Sequence, residues 1–466
     1  MNPDLPQRFG GAGATNVHPA VMIAYVLVAV LMLGLPRKYA VSVFVAATLL
    51  IPMDQVFVIG ALHFQTPRIL IALGWIRLLM TKSSVKGGFL PYGLTMIDKV
   101  VALCVFFNAL DFVLLWREMD AVTNQLGSVY SILGTYFLLR FFIRNEEDVL
   151  RTIRTLAYVA VPLALMMTSE FVTEHSSLAF LGGGMRSHLI RREHGIRAMA
   201  SFQHPITAGV FGAITFPLFV GLWWKKERFA AVVGNIASIM IVFTSTSSTG
   251  VSAYAAAIIA FCCWPLRKSM QVVRRAIVAC LIILHLIMKA PVWALIGHMD
   301  IIGGSDSWHR EYVVDQFIRR FFDWWLLGTK DNYNWGWDMW DITNQYVATG
   351  FTGGVLAVGF FIAIIVYGFK YLGRARKLVR GNGREEWFLW ALGAALFANA
   401  AAFFGVIYFD QVDIAWYALL AIICVTTHEA FRSESRRRRE HIEDPLSVSP
   451  PLPSDTPAYV EQRLAF

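Results

Sequence analysis

Apolar residues in this chain gather in blocks of about 17 to 25, the length an α-helix needs to cross a hydrocarbon layer of roughly 30 Å. Charged residues fall mainly between the blocks. The pattern predicts spans near 20–35, 40–59, 66–80, 94–115, 122–143, 151–169, 205–223, 229–244, 250–265, 274–291, 343–369, 386–408 and 412–430. Segment 66–80 is the least regular, because Arg68 and Arg77 interrupt it. The expected fold is therefore all-α, a polytopic membrane protein with about 12 to 13 transmembrane helices.

Positive charge tests this division, since short cytoplasmic loops collect Lys and Arg. Alternate connections differ: one set, running from Arg37 and Lys38 to Arg432–Arg439, holds 26 Lys and Arg, and the opposite set holds 12. The imbalance puts the N-terminus outside and the C-terminus in the cytosol. Residues 1–431 then form a single transmembrane domain with two long outer segments, 170–204 and 292–342. The basic and Pro-rich stretch 432–466, with Arg436–Arg439 at its start, reads as a disordered cytosolic tail lying against anionic lipid.

Composition narrows the class. Of 466 residues, 56% are apolar and 16% charged, against ~25% charged in a soluble domain, which excludes an ordinary cytosolic enzyme. The net charge of +9 is explained by topology and lipid contact, so it does not point to nucleic acid. Cys104, Cys262, Cys263, Cys280 and Cys424 all lie in apolar runs without ligand spacing and read as small interior residues. No Walker loop, zinc-protease helix, serine elbow or dinucleotide fingerprint occurs in a suitable context. The first apolar segment lacks a cleavage-site pattern and is expected to remain.

The candidate chemistry lies in the outer segments. The first carries Arg191, Arg192 and Arg197, then Phe202, Gln203 and His204 ahead of Pro205 at a helix start. A helix N-terminus with guanidinium groups beside it suits a phosphate-bearing lipid, because the planar fork engages two oxygens and keeps its charge. Non-specific contact with lipid phosphates explains the same arginines equally well. In the second segment, residues 305–325 read as an amphipathic helix with Trp308, Tyr312, Phe317, Phe321 and Trp324 on one stripe. Asp315 and Arg319 are spaced to pair, which leaves Arg310 as the arginine of interest. Residues 331–341 bring together Tyr333, Trp335, Trp337 and Trp340 with Asp331, Asn332, Asn334, Asp338 and Asp341. Flat rings beside hydrogen-bond acceptors suit a sugar, whose C–H face stacks while its hydroxyls donate. An interfacial aromatic belt would account for the rings but not for the carboxylates and amides.

Two weaker candidates remain. Thr244–Thr249 is an unbroken Ser/Thr run before Gly250, readable as a loop whose hydroxyls satisfy its own backbone. Asp98, Lys99, Asn108 and Asp111 share one span, and ionisable groups within a membrane are functional candidates or pair with one another.

In order and sidedness these motifs resemble the O-antigen ligase and O-antigen polymerase superfamily of bacterial membrane glycosyltransferases. The resemblance covers roughly the second half of the chain. It rests on Arg197 followed by Phe202, His204 and Pro205; on the Thr244–Thr249 break; on Arg310 leading to Leu327 and Gly328; and on Asn344, Tyr346, Gly350 and Gly353. It implies a C-type glycosyltransferase-like fold with a large helical extracytoplasmic loop, in the bacterial inner membrane, with a periplasmic active site. The implied reaction transfers an undecaprenyl-diphosphate-linked glycan without metal, cofactor or nucleotide sugar. Implied partners are that glycan, the surrounding lipids and other polysaccharide-assembly proteins. Arg197 and Arg310 would hold the diphosphate and stabilise the leaving charge. Arg191, Arg192, His204, His309, Trp335, Trp337, Asp338 and Asn344 would bind substrate, and Asp341, or Asp338, would act as general base. His204 and His309 are alternative bases.

Ligases of this superfamily tend to carry histidine where this chain has Thr343, before Asn344, so the resemblance favours a polymerase of repeat units over a ligase. A flippase or transporter of lipid-linked glycans is the reading from another class; it would place its polar residues at mid-membrane. A non-catalytic assembly subunit that docks through 292–342 is a third.

Overall fold

The computed structural model of the chain describes residues 15–59, 62–81, 88–181, 190–192, 195–298, 307–409 and 411–443. Thirteen long helices occupy the positions of the thirteen predicted spans. They are α1 (Pro19–Gly34), α2 (Arg37–Leu50), α3 (Thr66–Thr81), α4 (Met96–Trp116), α5 (Met119–Phe142), α6 (Glu146–Thr173), α7 (Pro205–Trp224), α8 (Arg228–Thr244), α9 (Ser248–Cys262), α10 (Met270–Ile287), α13 (Gln345–Leu378), α14 (Gly383–Ala402) and α15 (Val412–Glu443). Two short helices, α11 (Ser307–Arg319) and α12 (Phe321–Trp324), lie between α10 and α13. Among the described residues α4, α6, α7, α10, α13 and α15 are long and apolar enough to cross a membrane, and α1, α8 and α9 are apolar but shorter. The chain is an all-α, multi-pass membrane protein.

Hydrogen bonds sort the connections into two ends, and each end joins the loops that one charge class brackets. At the basic end Arg37 donates to the Phe142 carbonyl (2.8 Å) and Arg144 to that of Gly88 (3.1 Å), while Lys225 lies between Glu146 (2.6 Å) and Glu385 (2.5 Å). At the opposite end Ser201 donates to the Leu49 carbonyl (2.5 Å) and Gln411 to that of Ser201 (2.7 Å), while the Gln345 amide donates to the Phe403 carbonyl (2.8 Å). The most completely buried helical stretches are α7, which is apolar on all sides, and residues 412–425 of α15. There α7 and α9 approach so closely that a Cβ on Gly250 would lie 3.0 Å from the Gly209 backbone. By contrast α10 has no buried residue.

Several expectations need correction. The span read as 40–59 leaves the helix at Leu50. Pro52 cannot continue a backbone ladder, and the β-branched Val56, Val58 and Ile59 beyond it make β1 (Val56–Ile59), which pairs antiparallel with β2 (Leu62–Gln65). The interrupted segment 66–80 is helical. Arg68 turns back to the His63 carbonyl (2.7 Å), and Arg77 reaches the Leu33 and Leu35 carbonyls, so both charges sit at helix ends with acceptors. The tail does not unravel at residue 432, since α15 continues to Glu443. Arg and Glu are good helix formers there, and Glu434/Arg438 and Arg436/Glu440 are spaced four apart. Residues 444–466 lie outside the described residues. The amphipathic helix 305–325 is two helices, turned at Arg320.

One further element departs from a plain bundle. Gly353 (φ −145°, ψ 22°) and Gly354 (φ 59°, ψ −166°) break α13 near its start. The chain after α12 docks against the break: Thr329 donates its amide to the Phe351 carbonyl (2.9 Å), and Val355 donates to that of Trp325 (2.8 Å). Backbone groups freed inside a membrane need such internal partners. Glycine at 354 is required twice over, by its left-handed φ and because a Cβ would collide with the Leu326 carbonyl.

Candidate functional site

The described parts of the two long polar segments, 170–204 and 292–342, lie at the end of the bundle bearing fewer Lys and Arg. The first is a small hairpin of β3 (Ile190–Arg192) and β4 (Gly195–Arg197) with Ile190 opposite Arg197. Arg197 is 3% exposed. The next residue, Ala198, donates its amide to the Thr244 carbonyl (3.1 Å), fixing the strand end to the Ser/Thr run. Glu170, buried in the last turns of α6, clamps the turn that follows. One of its carboxylate oxygens accepts the Met199 and Ala200 amides (2.9 Å each), and the other accepts that of Ser177 (3.1 Å). Ala200 is left-handed (φ 49°), so this turn is held in a conformation it would not choose freely. Sequence reading missed Glu170; its only signal was an acid just past the outer end of a predicted span.

His204 caps α7, its Nδ1 accepting the Ile206 amide (3.2 Å), with its ring edge-on to Phe409 (6.4 Å). Arg191 is exposed and pairs with Glu174 (3.5 Å), a contact of small energetic worth. The Arg192 side chain lies outside the described residues. In the Ser/Thr run, Thr244 and Ser245 bond back to their own helix and Thr249 donates to the Gly405 carbonyl (3.1 Å), so these hydroxyls serve the backbone.

The second segment folds over a small core of its own, formed by Val313, Phe317, Trp324, Trp335, Met339, Val347 and Phe351. The rings of Phe317 and Trp324 stack at 3.8 Å. Trp335 belongs to this core, 5% exposed and 4.9 Å from the Phe351 ring, so it offers no free face to a ligand. Trp337, 70% exposed, does offer one. In the first turn of α11, His309 is 2% exposed, and its Nε2 lies 2.9 Å from the Asp341 carbonyl. A carbonyl only accepts, so Nε2 carries the proton. Nδ1 is buried without a hydrogen-bond partner among the described residues. This contact holds Asp341 against the turn of α11 that bears half-buried Arg310. Asp338 has a left-handed backbone (φ 56°), and its carbonyl accepts the Asp341 amide (3.3 Å). Asp315 and Arg319 pair as their spacing implied (2.6 Å).

Asn344 caps α13, its Oδ1 accepting the Tyr346 (2.9 Å) and Val347 (3.2 Å) amides, and its Nδ2 reaches the Phe404 carbonyl (3.4 Å). Its observed work is structural. Residues 403–408, which the sequence put inside a span, form a connecting segment with Phe409 because α14 ends at Ala402. That segment joins the parts: Gly405 takes Thr249, Phe404 takes Asn344, and Tyr408 donates its amide to Gln345 Oε1 (2.8 Å). The Tyr408 hydroxyl donates to Asn399 (2.9 Å); burial, reinforced by Asp413, holds this phenol well above its usual range, so it remains a neutral donor.

The mid-span cluster is divided. Asp98 caps α4 in a capping box with Thr95 and pairs with buried Arg140 (2.8 Å), while Lys99 is exposed. Asn108 donates to Thr352 beside the break in α13 (2.7 Å). Asp111 is buried, with Oδ2 unpartnered among the described residues.

The structure thus brings His309, Arg310 and Asp341 together and ties the Arg197 strand to the same end through residues 244–249 and 403–411. No protein-family model and no curated protein matches this chain.

Proposed function

We propose that this protein polymerises lipid-diphosphate-linked oligosaccharide repeat units, for exopolysaccharide or O-antigen, at the outer face of a bacterial inner membrane. The observation that carries the reading is the juxtaposition of Arg310, His309 and Asp341 in an aromatic, acidic outer loop, with a second arginine strand tied to that end of the bundle. In the proposed reaction an acceptor sugar hydroxyl attacks the anomeric carbon of the donor glycan. A C–O bond forms there as the bond to the lipid diphosphate breaks. The hydroxyl proton passes to the Asp341 carboxylate, and the diphosphate leaves with its negative charge held by Arg197 and Arg310. The diphosphate leaving group supplies the driving force, so the chain's own residues need only bind, orient and neutralise. The remaining assigned groups, Arg191, Arg192, His204 and Asp338, would line the donor path.

The test is complementation of a deletion strain with Arg197→Lys and Arg310→Lys, following chain length and lipid-linked repeats. Lysine keeps the charge and removes the bidentate fork. Single repeats accumulating at normal protein levels support polymerisation, whereas transfer of finished glycan failing at unchanged chain length supports the ligase alternative. Unaltered product refutes the arginine assignment.

A second reading, transport or flipping of lipid-linked glycan, is favoured by one observation: a broken helix with buried Asp111 on the neighbouring span, an arrangement used in transporters. Asp111→Asn separates the two. Abolished translocation in vesicles with intact polymerisation would choose the transporter.

A further inference from the structure

We propose that the stacked indoles of Trp308 and Trp337 form a seat for an uncharged sugar ring. The proposal rests on the glycan reading above and adds to it a location and a charge class. The two rings come from segments 29 positions apart in sequence, yet lie 5.7 Å apart with planes within 22° of parallel. Neither is buried by the contact: Trp308 is 54% exposed and Trp337 70%. Two large apolar faces held together at the surface leave uncovered area that a flat apolar ligand would bury.

The pair is held rigidly from beneath. Trp308 precedes His309, which is fixed to the Asp341 carbonyl. Trp337 follows Trp335, anchored in the small core, whose carbonyl accepts the Tyr312 hydroxyl (3.4 Å). The backbone takes a positive φ on both sides of Trp337. Gly336 sits at φ 146°, where a Cβ would collide with Tyr312, and Asp338 is left-handed at φ 56°. Strain kept at a non-glycine residue beside an exposed aromatic points to a use for that ring's direction.

Charge selects the occupant. Asp331, Asp338 and Asp341 lie within six residues of Trp337 in sequence, so this loop carries carboxylates that accept sugar hydroxyls and disfavour a uronic acid, with Arg310 left to the diphosphate. A lipid-facing belt tryptophan would have no need of the strained turn or of these acids. Trp340, also exposed but without a ring partner among the described residues, provides the internal comparison.

The experiment is calorimetric titration of the purified full-length protein with two probes. One is the oligosaccharide released by mild acid from the source cell's lipid-linked precursors, and the other is an oligogalacturonate. Expected is saturable binding of the first and none of the second, weakened roughly tenfold by Trp308→Ala or Trp337→Ala and unchanged by Trp340→Ala. Thermal unfolding confirms that each variant folds, and Trp337→Phe, which keeps a smaller flat face, should bind at an intermediate level. Equal affinities across all variants, no binding by the wild-type chain, or preference for the oligogalacturonate would overturn the proposal. If the probe fails to bind while repeat units are still polymerised, the indole seat is wrong and the polymerase reading stands. If the probe binds and no repeat units are polymerised, the seat stands and the polymerase reading fails.

Discussion

Replacing Glu170 tests whether the arginine strand is positioned by one buried carboxylate. Its two oxygens accept three backbone amides, from Ser177, Met199 and Ala200, at 2.9 to 3.1 Å, and the side chain is wholly buried. Hydrogen bonds to a charged acceptor contribute about 1.5–3 kcal/mol each, and a buried donor left without a partner costs about 1–3 kcal/mol. The three share one acceptor and the turn can relax toward water, so they do not add fully. Glu170→Ala should therefore lower stability by about 3–5 kcal/mol. Glu170→Gln keeps the shape, and its single oxygen can still take the Met199 and Ala200 pair, but its amide then faces the Ser177 N–H. That predicts a loss of about 1–2 kcal/mol. Unfolding of the full-length protein in detergent micelles, by heat or by added SDS, measures both. Because the clamped turn begins two residues after Arg197, the proposed glycan transfer should fall in the same order. An alanine variant within about 0.5 kcal/mol of wild type would refute the clamp, as would a glutamine variant as damaged as the alanine one.

Three other outcomes follow from named contacts. Gly354→Ala, which forces a Cβ into left-handed backbone against the Leu326 carbonyl, should cost at least 1–3 kcal/mol, roughly, and loosen the 325–329 segment; proteolysis of that segment reads it out. Trp335→Ala should destabilise by about 3–5 kcal/mol, as expected for a core aromatic, whereas exposed Trp340→Ala should stay within about 0.5 kcal/mol, both by micelle unfolding. At the basic end, burial and then Glu429 push the Tyr92 phenol up to about 12. A raised folded value stabilises fully below the ordinary phenol range near 10 and is lost as pH climbs through about 12. Tyr92→Phe should therefore flatten the alkaline fall in melting temperature between those limits, and an unchanged profile would contradict it.

The candidate site was only partly readable along the chain. Arg310 and Asp341 stood out as charged residues in an aromatic loop, but that His309 holds them together depends on a backbone carbonyl, which leaves no mark in a residue pattern. Trp335 and Trp337 look equivalent in sequence; one is core and the other surface because Gly336 turns the chain between them and Asp338 turns it again just after. Asn344 read as a substrate group and is seen capping a helix. Glu170 was invisible for a similar reason, since its partners are backbone amides, two of them of Met199 and Ala200, which have no polar side chain to announce them.

By itself the sequence determined the class and the count of long helices. Crossing a hydrocarbon layer imposes a length and an apolar composition that each segment must satisfy alone, and loop charge follows side by side with them. Tertiary structure decided where helices stop, break and acquire caps. The break at Gly353–Gly354 and the release of the chain at Ala402 both rest on partners far away in sequence. Those partners supply hydrogen bonds to backbone groups that an isolated segment would have had to satisfy within its own helix.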